Sequence, residues 1–265
     1  MKAIDVHGHF GPYDRGSGGL HDRLSSGGID LVRQRAQAVD ICLTVVSAIH
    51  ALIPYGGDVL RGNEDARQAA EQYSDICFWA VLDPQRSDTV RQAESLLRHP
   101  RCKGLKIHPR EHGYEICEQG DRIFEFAVDH QAVILSHSGN RGCNPEDFVP
   151  FVNRYPEASL ILGHLGNSED DSLSRQVYAL KRAEHGNLYV DTSSARSITS
   201  GLVEWAVSEV GAEHIVFGSD TPLYFAASQK ARVEYAELTE QAKRTILFEN
   251  AARLLKEPGA ANSIG

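Results

Sequence analysis

The chain has 265 residues and a formal net charge of −9 at pH 7, from 27 Lys and Arg against 36 Asp and Glu. This charge repels a phosphate backbone, so the composition excludes nucleic acid as an expected partner. Hydrophobic residues make up 42% and charged residues 24% of the chain, and the length is ordinary for one α/β barrel, so we expect a single folded domain over residues 1–265.

The apolar segments are too short for the chain to cross a membrane. The first ten residues contain Lys2, Asp5, His7 and His9, which exclude the apolar core of a signal peptide. The best apolar run, ICLTVVSAI at 41–49, is far shorter than a bilayer-spanning helix. We therefore expect a cytoplasmic protein without a membrane partner.

Short apolar, β-branched runs alternate with helix-like segments along the chain. The starts of these runs are 26 to 38 residues apart, about what a strand, a loop, a helix and a return loop need. This alternation predicts repeated β-α units around a parallel sheet. The predicted strands are 3–9, 41–49, 76–83, 102–108, 132–138, 159–165, 188–193 and 214–220.

The segments between the strands carry helix starts and apolar stripes. Pro145 after Asn144 is a favourable helix start, and Thr239 can cap the last helix. Acidic strings at 62–65 and 168–171 are interpreted as helix starts, where acids favour the helix dipole. The predicted helices are 62–74, 87–99, 121–130, 145–155, 171–185, 199–210 and 238–256.

Two connections lack a core pattern, and both follow predicted strands. They are residues 10–28, rich in Gly and Ser, and residues 50–60. In a barrel such loops surround the mouth where substrates bind, so we expect them to cover a substrate, with a surface insertion as the alternative. Eight β-α units predict a (β/α)8 barrel. An open doubly wound sheet would need a glycine-rich phosphate loop after the first strand, and HGHFGP contains none.

Side chains that can bind metal collect at the ends of the predicted strands. Because the carboxyl ends of barrel strands meet at one mouth, we expect these side chains to lie together. Residues i and i+2 of a strand project to the same side, roughly 6.5 to 7 Å apart, so two histidines can hold one ion between them. The residues are His7 and His9 of the first strand, Lys106 and His108 of the fourth, His137 of the fifth, His164 of the sixth and Asp220 of the eighth.

Three imidazole nitrogens and one carboxylate, from His7, His9, His137 and Asp220, would suit Zn²⁺ or a similar divalent ion with an open position for water. The ordered set resembles the amidohydrolase superfamily of metal-dependent (β/α)8 barrels, in particular its amidohydrolase-2 branch, which includes aminocarboxymuconate-semialdehyde decarboxylase. The strings that carry the resemblance are DVHGHF (5–10), GLKIHP (104–109), SHSG (136–139), GHLG (163–166), GSDTP (218–222) and NAARLL (250–255).

The resemblance implies a metal-dependent hydrolase that attacks a small polar carbonyl compound, such as a lactone, amide or ester, with water that the ion activates. It implies His7, His9, His137 and Asp220 as metal ligands, most simply of Zn²⁺. Asp220 could also accept the proton of the water. A non-oxidative decarboxylase on the same site, and a metal-free binding protein on this scaffold, remain alternatives.

The resemblance also implies His164 as the acid–base residue, since imidazole exchanges protons near neutral pH. His164 could instead bind a second metal or be structural. Lys106 could be carbamylated and bridge two ions, or remain unmodified.

Further side chains could assist the site. Asp5 is expected to share the face of His7 and His9 and to orient a ligand, with a buried polar residue paired with backbone as the alternative. Charged residues on the mouth loops could hold a carboxylate or phosphate of a small-molecule substrate, and His108 and Arg141 are selected among His108, Arg110, Arg141 and Arg196. Each could also be a solvated surface charge. The sequence leaves substrate identity and homo-oligomer formation open.

Overall fold

The computed structural model describes residues 1–53 and 57–257. Eight parallel strands pair in sequential order in one sheet, and all eight overlap their predicted ranges. The later strands are shorter than predicted because their last residues leave the sheet to form the mouth. The strands are β1 (Ala3–Phe10), β2 (Ile41–Ala48), β3 (Ile76–Val81), β4 (Cys102–Ile107), β5 (Val133–Ser136), β6 (Leu160–Leu162), β7 (Leu188–Asp191) and β8 (Ile215–Val216).

The sheet curls until the segment after β8 meets β1. His9 N donates to Thr221 O at 2.7 Å, and Asp220 N donates to His7 O at 2.8 Å. The predicted strand 214–220 therefore lies against β1, although only its first residues are regular strand. These contacts make the nearly closed (β/α)8 barrel that the sequence predicted.

Helices surround the barrel and follow most of the predicted ranges. A π-helical turn, Thr245–Glu249, joins the last two helices, and short 3₁₀ turns occupy Ile49–Ala51, Ala195–Ile198 and Ala212–His214. The helices are α1 (Leu20–Leu24), α2 (Ile29–Gln37), α3 (Val59–Gln72), α4 (Ser87–Leu96), α5 (Pro109–His112), α6 (Ile116–Asp129), α7 (Pro145–Arg154), α8 (Arg175–Arg182), α9 (Leu202–Val210), α10 (Ala226–Glu234), α11 (Glu240–Arg244) and α12 (Asn250–Leu254).

Four helices, α1, α2, α5 and α10, lie where none was predicted. Helix α2 buries only Val32 and Ala36, a stripe too narrow to be read from the sequence. The acidic string 168–171 was wrongly interpreted as a helix start, because Asp170 accepts from Ser172 N at 3.1 Å and holds a turn before α8. The string 62–65 lies inside α3, and residues 54–56 of the predicted loop 50–60 fall outside the described residues.

Apolar side chains fill the barrel up to the level of the mouth. Trp79 is fully buried in the interior, and its indole N–H donates to Val6 O at 2.8 Å. Gly104 of β4, with φ +142°, makes room for the indole, since a Cβ there would lie 3.0 Å from the ring. Ala251 and Leu255 at the end of the chain join the same interior cluster and close the amino end of the barrel.

The helices within the two described ranges include none with the length and apolar character required to cross a membrane.

Candidate active site

The carboxyl ends of the strands open into a cavity of about 280 Å³. The structure brings all the selected site residues to this cavity except Arg141, which is exposed and does not line it. Arg196 is also at the surface, paired with Asp171. Arg110 does line the cavity. The predicted residues along its wall are His7, His9, Lys106, His108, His137, His164 and Asp220.

His7, His9 and Asp220 converge at the bottom of the cavity. Asp220 Oδ1 lies 3.1 Å from His9 Nε2 and 3.8 Å from His7 Nε2. Each residue offers a ligand atom within 4.8 Å of the others, and all three residues are buried. The two imidazole rings project to the same side, with centroids 5.1 Å apart, although the register of β1 shifts between Asp5 and Gly8.

The opposite nitrogens of these two imidazoles are anchored to the wall. His7 Nδ1 lies 2.6 Å from Asp191 Oδ2, and His9 Nδ1 lies 3.2 Å from Ser47 O. A carboxylate and a carbonyl can only accept, and the Ser47 hydroxyl, 2.9 Å from His9 Nδ1, can accept as well, so we assign the ring proton to each Nδ1 and a lone pair to each Nε2. These lone pairs face the Asp220 carboxylate, another acceptor. A cation placed among these atoms would be attracted to all of them, so the three side chains are suited to bind a divalent metal ion.

The rings of His137 and His164 meet nitrogen to nitrogen in the cavity wall. Asn140 donates its amide N–H to Glu169 at 3.2 Å, which turns its Oδ1 toward His137 Nε2 at 2.6 Å. His137 Nε2 therefore carries the proton, and its Nδ1 presents a lone pair to His164 Nε2 at 2.9 Å. The His108 ring stacks on His137 with centroids 4.2 Å apart. His137 Nδ1 therefore faces the cavity, but it contacts His164 and lies apart from the group formed by His9 and Asp220.

Lys106 lies fully inside the wall, with Nζ 2.6 Å from His7 Nε2. Burial lowers its pKa to about 8, against the opposing effect of the Asp191 and Asp220 carboxylates. Its amino group therefore contacts the same lone pair that His7 presents to the cavity.

Burial also sets the charge state of the other groups. It lowers the pKa of His7 to about 3, with the Lys106 charge as the next cause, and it lowers the pKa values of His108 and His137 well below their usual range. Burial raises the pKa of Asp220, but the neighbouring His9, His164 and His7 side chains outweigh it and bring the value to about 2. Neutral imidazoles and an ionised carboxylate are the forms that bind metal.

These shifts predict acid lability of the chelator-treated protein. Between about pH 6.5 and 3 the unfolded chain protonates His7 while the folded chain does not. The free energy of unfolding therefore decreases as the pH is lowered, by up to about 1.4 kcal/mol per pH unit for each such histidine. Asp5, whose pKa is raised to about 6, has the opposite effect on stability, but it is one group against several histidines. Urea unfolding at pH 7.0 and 5.0 measures the fall. His108→Gln should reduce it, and an unchanged fall in that variant would contradict the prediction.

Two residues of the site were missed in the sequence. Asp191 ends β7 and binds His7, and Ser193 follows it. The available signal was that Asp191, like the selected residues, stands where an apolar strand stops. Asp5 was expected to orient a ligand, but its carboxylate accepts from the backbone N–H groups of His7 and Ser219, both at 3.0 Å, and contacts no imidazole in the described chain.

The loop 10–28 reaches across the mouth of the cavity. Arg15 binds Glu111 of α5 through Nη2 and Oε1 at 2.6 Å and also contacts Tyr13. Tyr13, Arg15 and Glu111 all line the cavity. This ion pair therefore joins the loop after β1 to the loop after β4 over the site.

The family model described as amidohydrolase, of the amidohydrolase-2 type, matches residues 4–256. The chain therefore belongs to the amidohydrolase family and is an enzyme of that family. No curated protein sequence matches the chain.

Solved structures with the same fold have low sequence identity to the chain. Manganese-bound 5-carboxyvanillate decarboxylase from Novosphingobium aromaticivorans has a TM-score of 0.76 at 14% identity, covering 97% of this chain and 96% of that one. A zinc-bound amidohydrolase from Burkholderia multivorans has a TM-score of 0.73 at 16% identity, with 97% and 100% covered. 2,6-Dihydroxybenzoate decarboxylase from Rhizobium has a TM-score of 0.74 at 15% identity, with 97% and 99% covered. These similarities show the barrel fold.

Proposed function

We propose that the protein is a metal-dependent hydrolase that acts on a small polar carbonyl compound, such as a lactone, an amide or an ester. One observation carries the proposal: the lone pairs of His7 Nε2 and His9 Nε2 meet the Asp220 carboxylate at 3.8 and 3.1 Å in a buried cavity. Lys106 Nζ, 2.6 Å from His7 Nε2, meets one of these acceptors, but His9 Nε2 and the Asp220 carboxylate still repel each other unless a cation lies between them.

The ligands in this proposal are His7, His9 and Asp220, with His137 as the fourth through Nδ1. Three imidazole nitrogens and one carboxylate favour zinc, and zinc and manganese are bound in two of the solved structures with this fold. His137 Nδ1 faces His164 Nε2, so binding an ion would require His137 to turn from that contact toward Asp220.

A divalent ion held by these residues would lower the pKa of a coordinated water toward about 7 and would polarise a carbonyl oxygen. His164 presents Nε2 to the cavity and takes the proton there, then returns it to the leaving group. Asp220 holds its carboxylate beside His9 and can accept a proton during the same step. Lys106 Nζ, next to His7, adds positive charge to the wall where negative charge develops on the substrate.

The cavity restricts the substrate to a small molecule. A volume of about 280 Å³ lies near the lower end of small-molecule sites. His108 keeps its proposed role as a substrate contact, because its ring lines the cavity against His137. Arg110 replaces Arg141 as the proposed cationic contact, since it lines the cavity and Arg141 does not.

Metal analysis and a substrate screen test the proposal. We expect about one zinc per chain in the purified protein, hydrolysis of at least one compound in a panel of lactones, esters and amides, loss of this activity with chelator, and recovery with added zinc. The panel includes hydroxybenzoates, with carbon dioxide release as a separate readout.

Carbon dioxide release without hydrolysis would replace the hydrolase by the decarboxylase alternative. A protein without stoichiometric transition metal, and with activity insensitive to chelator, would contradict the metal-dependent reaction altogether.

A further inference from the structure

One buried carboxylate joins the two sides of the site from behind the cavity wall. Asp191 has no exposed surface and does not line the cavity. Its Oδ2 lies 2.6 Å from His7 Nδ1, while Oδ1 accepts from His164 N at 2.8 Å and from Ser193 N at 2.9 Å. Asp191 therefore contacts a proposed metal ligand and the proposed acid–base residue at once, through different oxygens.

Ser193 extends this contact to the ring of His164. Its Oγ donates to Asp191 Oδ1 and lies 2.8 Å from His164 Nδ1. A hydroxyl has one proton, so after donating to the carboxylate Ser193 can only accept from His164. The carbonyl oxygen of Ser193, 3.3 Å from the same nitrogen, is also only an acceptor. His164 therefore carries its ring proton on Nδ1 and presents the Nε2 lone pair to the cavity.

We propose that Asp191 is a positioning residue that holds His7 directly, and His164 through Ser193, in the tautomer with Nδ1 protonated and Nε2 directed into the cavity. The role of His7 as a ligand rests on the proposed function. The tautomers themselves follow from the contacts of Asp191 and Ser193.

The surrounding backbone leaves the His7 ring little freedom. A Cβ at Gly218 would lie 2.9 Å from the His7 Cβ and 3.1 Å from the Asp191 carboxyl carbon, and one at Gly163 would lie 3.0 Å from His7 Cε1. His164 has φ +74°, in the left-handed region that non-glycine residues rarely adopt. The hydrogen bond from His164 N to Asp191 holds this conformation. One carboxylate thus fixes the ring of His7 and both the backbone and the ring of His164.

Asp191→Asn tests the proposal in the zinc-loaded protein, because an amide keeps the shape of the carboxylate but can present a donor to His7 Nδ1. We expect zinc affinity, measured by chelator competition, to fall by about 10- to 100-fold. We also expect the ¹⁵N NMR signals of His164 to change from a single Nδ1-protonated form to a mixture of tautomers.

Ser193→Ala acts mainly on His164, because His7 Nδ1 keeps its contact with Asp191 Oδ2 at 2.6 Å when its second contact, Ser193 Oγ at 2.9 Å, is lost. The substitution removes the hydroxyl between Asp191 and His164 and leaves the more distant Ser193 carbonyl, at 3.3 Å, as the acceptor for Nδ1, so we expect the Nδ1-protonated fraction of His164 to fall while most of the zinc affinity remains. This variant also provides an independent test if Asp191→Asn does not fold, since an unchanged His164 tautomer in Ser193→Ala overturns the proposal.

Asp83→Asn is the matched control. Asp83 is also a buried carboxylate just after a strand, and it accepts from Gln85 N at 3.0 Å. We expect wild-type zinc affinity and tautomers in this variant. Folded Asp191→Asn protein with wild-type affinity and a single His164 tautomer overturns the proposal. Wild-type protein that binds no zinc contradicts the proposed function alone, because NMR still reads both tautomers.

Discussion

His9→Ala is expected to remove stoichiometric zinc and to lower kcat/KM for the best hydrolysed substrate by more than about 10³-fold. The variant deletes one of the two Nε2 lone pairs that face Asp220, and His9 Nε2 is the nitrogen nearest to that carboxylate, at 3.1 Å. Without the ion, water keeps a pKa near 16 and is a poor nucleophile at neutral pH. Metal content by mass spectrometry and steady-state kinetics measure the two effects.

His185→Ala serves as the control, because His185 is an exposed histidine in a turn before β7. It should keep zinc and activity. If His9→Ala retained one zinc per chain with kcat/KM near the wild-type value, His9 would not be a ligand.

His164→Asn is expected to lower kcat by about 10²- to 10⁴-fold while zinc content stays at the wild-type level. Asparagine is chosen because it tolerates the left-handed backbone of this position, φ +74°, better than most residues. The side chain then lacks a group that exchanges a proton with the substrate at neutral pH. Kinetics and metal analysis on the same preparation provide the two readouts.

The two readouts also decide between the roles that the sequence left open for His164. Loss of zinc together with activity would identify it as a metal ligand. A kcat within about tenfold of wild type, with zinc retained, would leave only a structural role.

The barrel and most of its mouth could be predicted because both follow from simple periodicities. Apolar runs separated by helix-length segments fix eight strands, and in a parallel barrel every strand delivers its last side chains to one place. Residues as distant as His7, His137 and Asp220 could therefore be assigned to one cavity without any knowledge of their contacts. The spacing of His7 and His9 correctly predicted rings on the same side.

Contacts behind the cavity wall could not be predicted in the same way. Asp191 and Ser193 matter because of which atoms they face, and DTSS after β7 is equally typical of an ordinary turn. The tautomers of His7 and His164 depend on these partners. Arg141 was placed at the mouth by its position after a strand, but the direction of a loop side chain is set by local backbone geometry, which turns it to solvent.

Short helices in loops also escaped prediction. Helix α5 has only four residues, and α1 follows a Gly- and Ser-rich segment, so neither has room for an apolar repeat. Side-chain contacts stabilise them instead: Glu111 of α5 binds the distant Arg15, and Asp22 of α1 accepts locally from Ser17 at 2.7 Å.

The seam between β1 and the segment after β8 gives the proposed site a second role, in holding the barrel shut. Asp5 and Ser219, 214 positions apart in the chain, pair at this seam, and His9 and Asp220 stand on its opposite sides. An ion held by His9 and Asp220 would bind only the closed barrel and would stabilise it by about 2.7 kcal/mol at a concentration 100 times its dissociation constant. Metal occupancy and barrel closure are then thermodynamically linked.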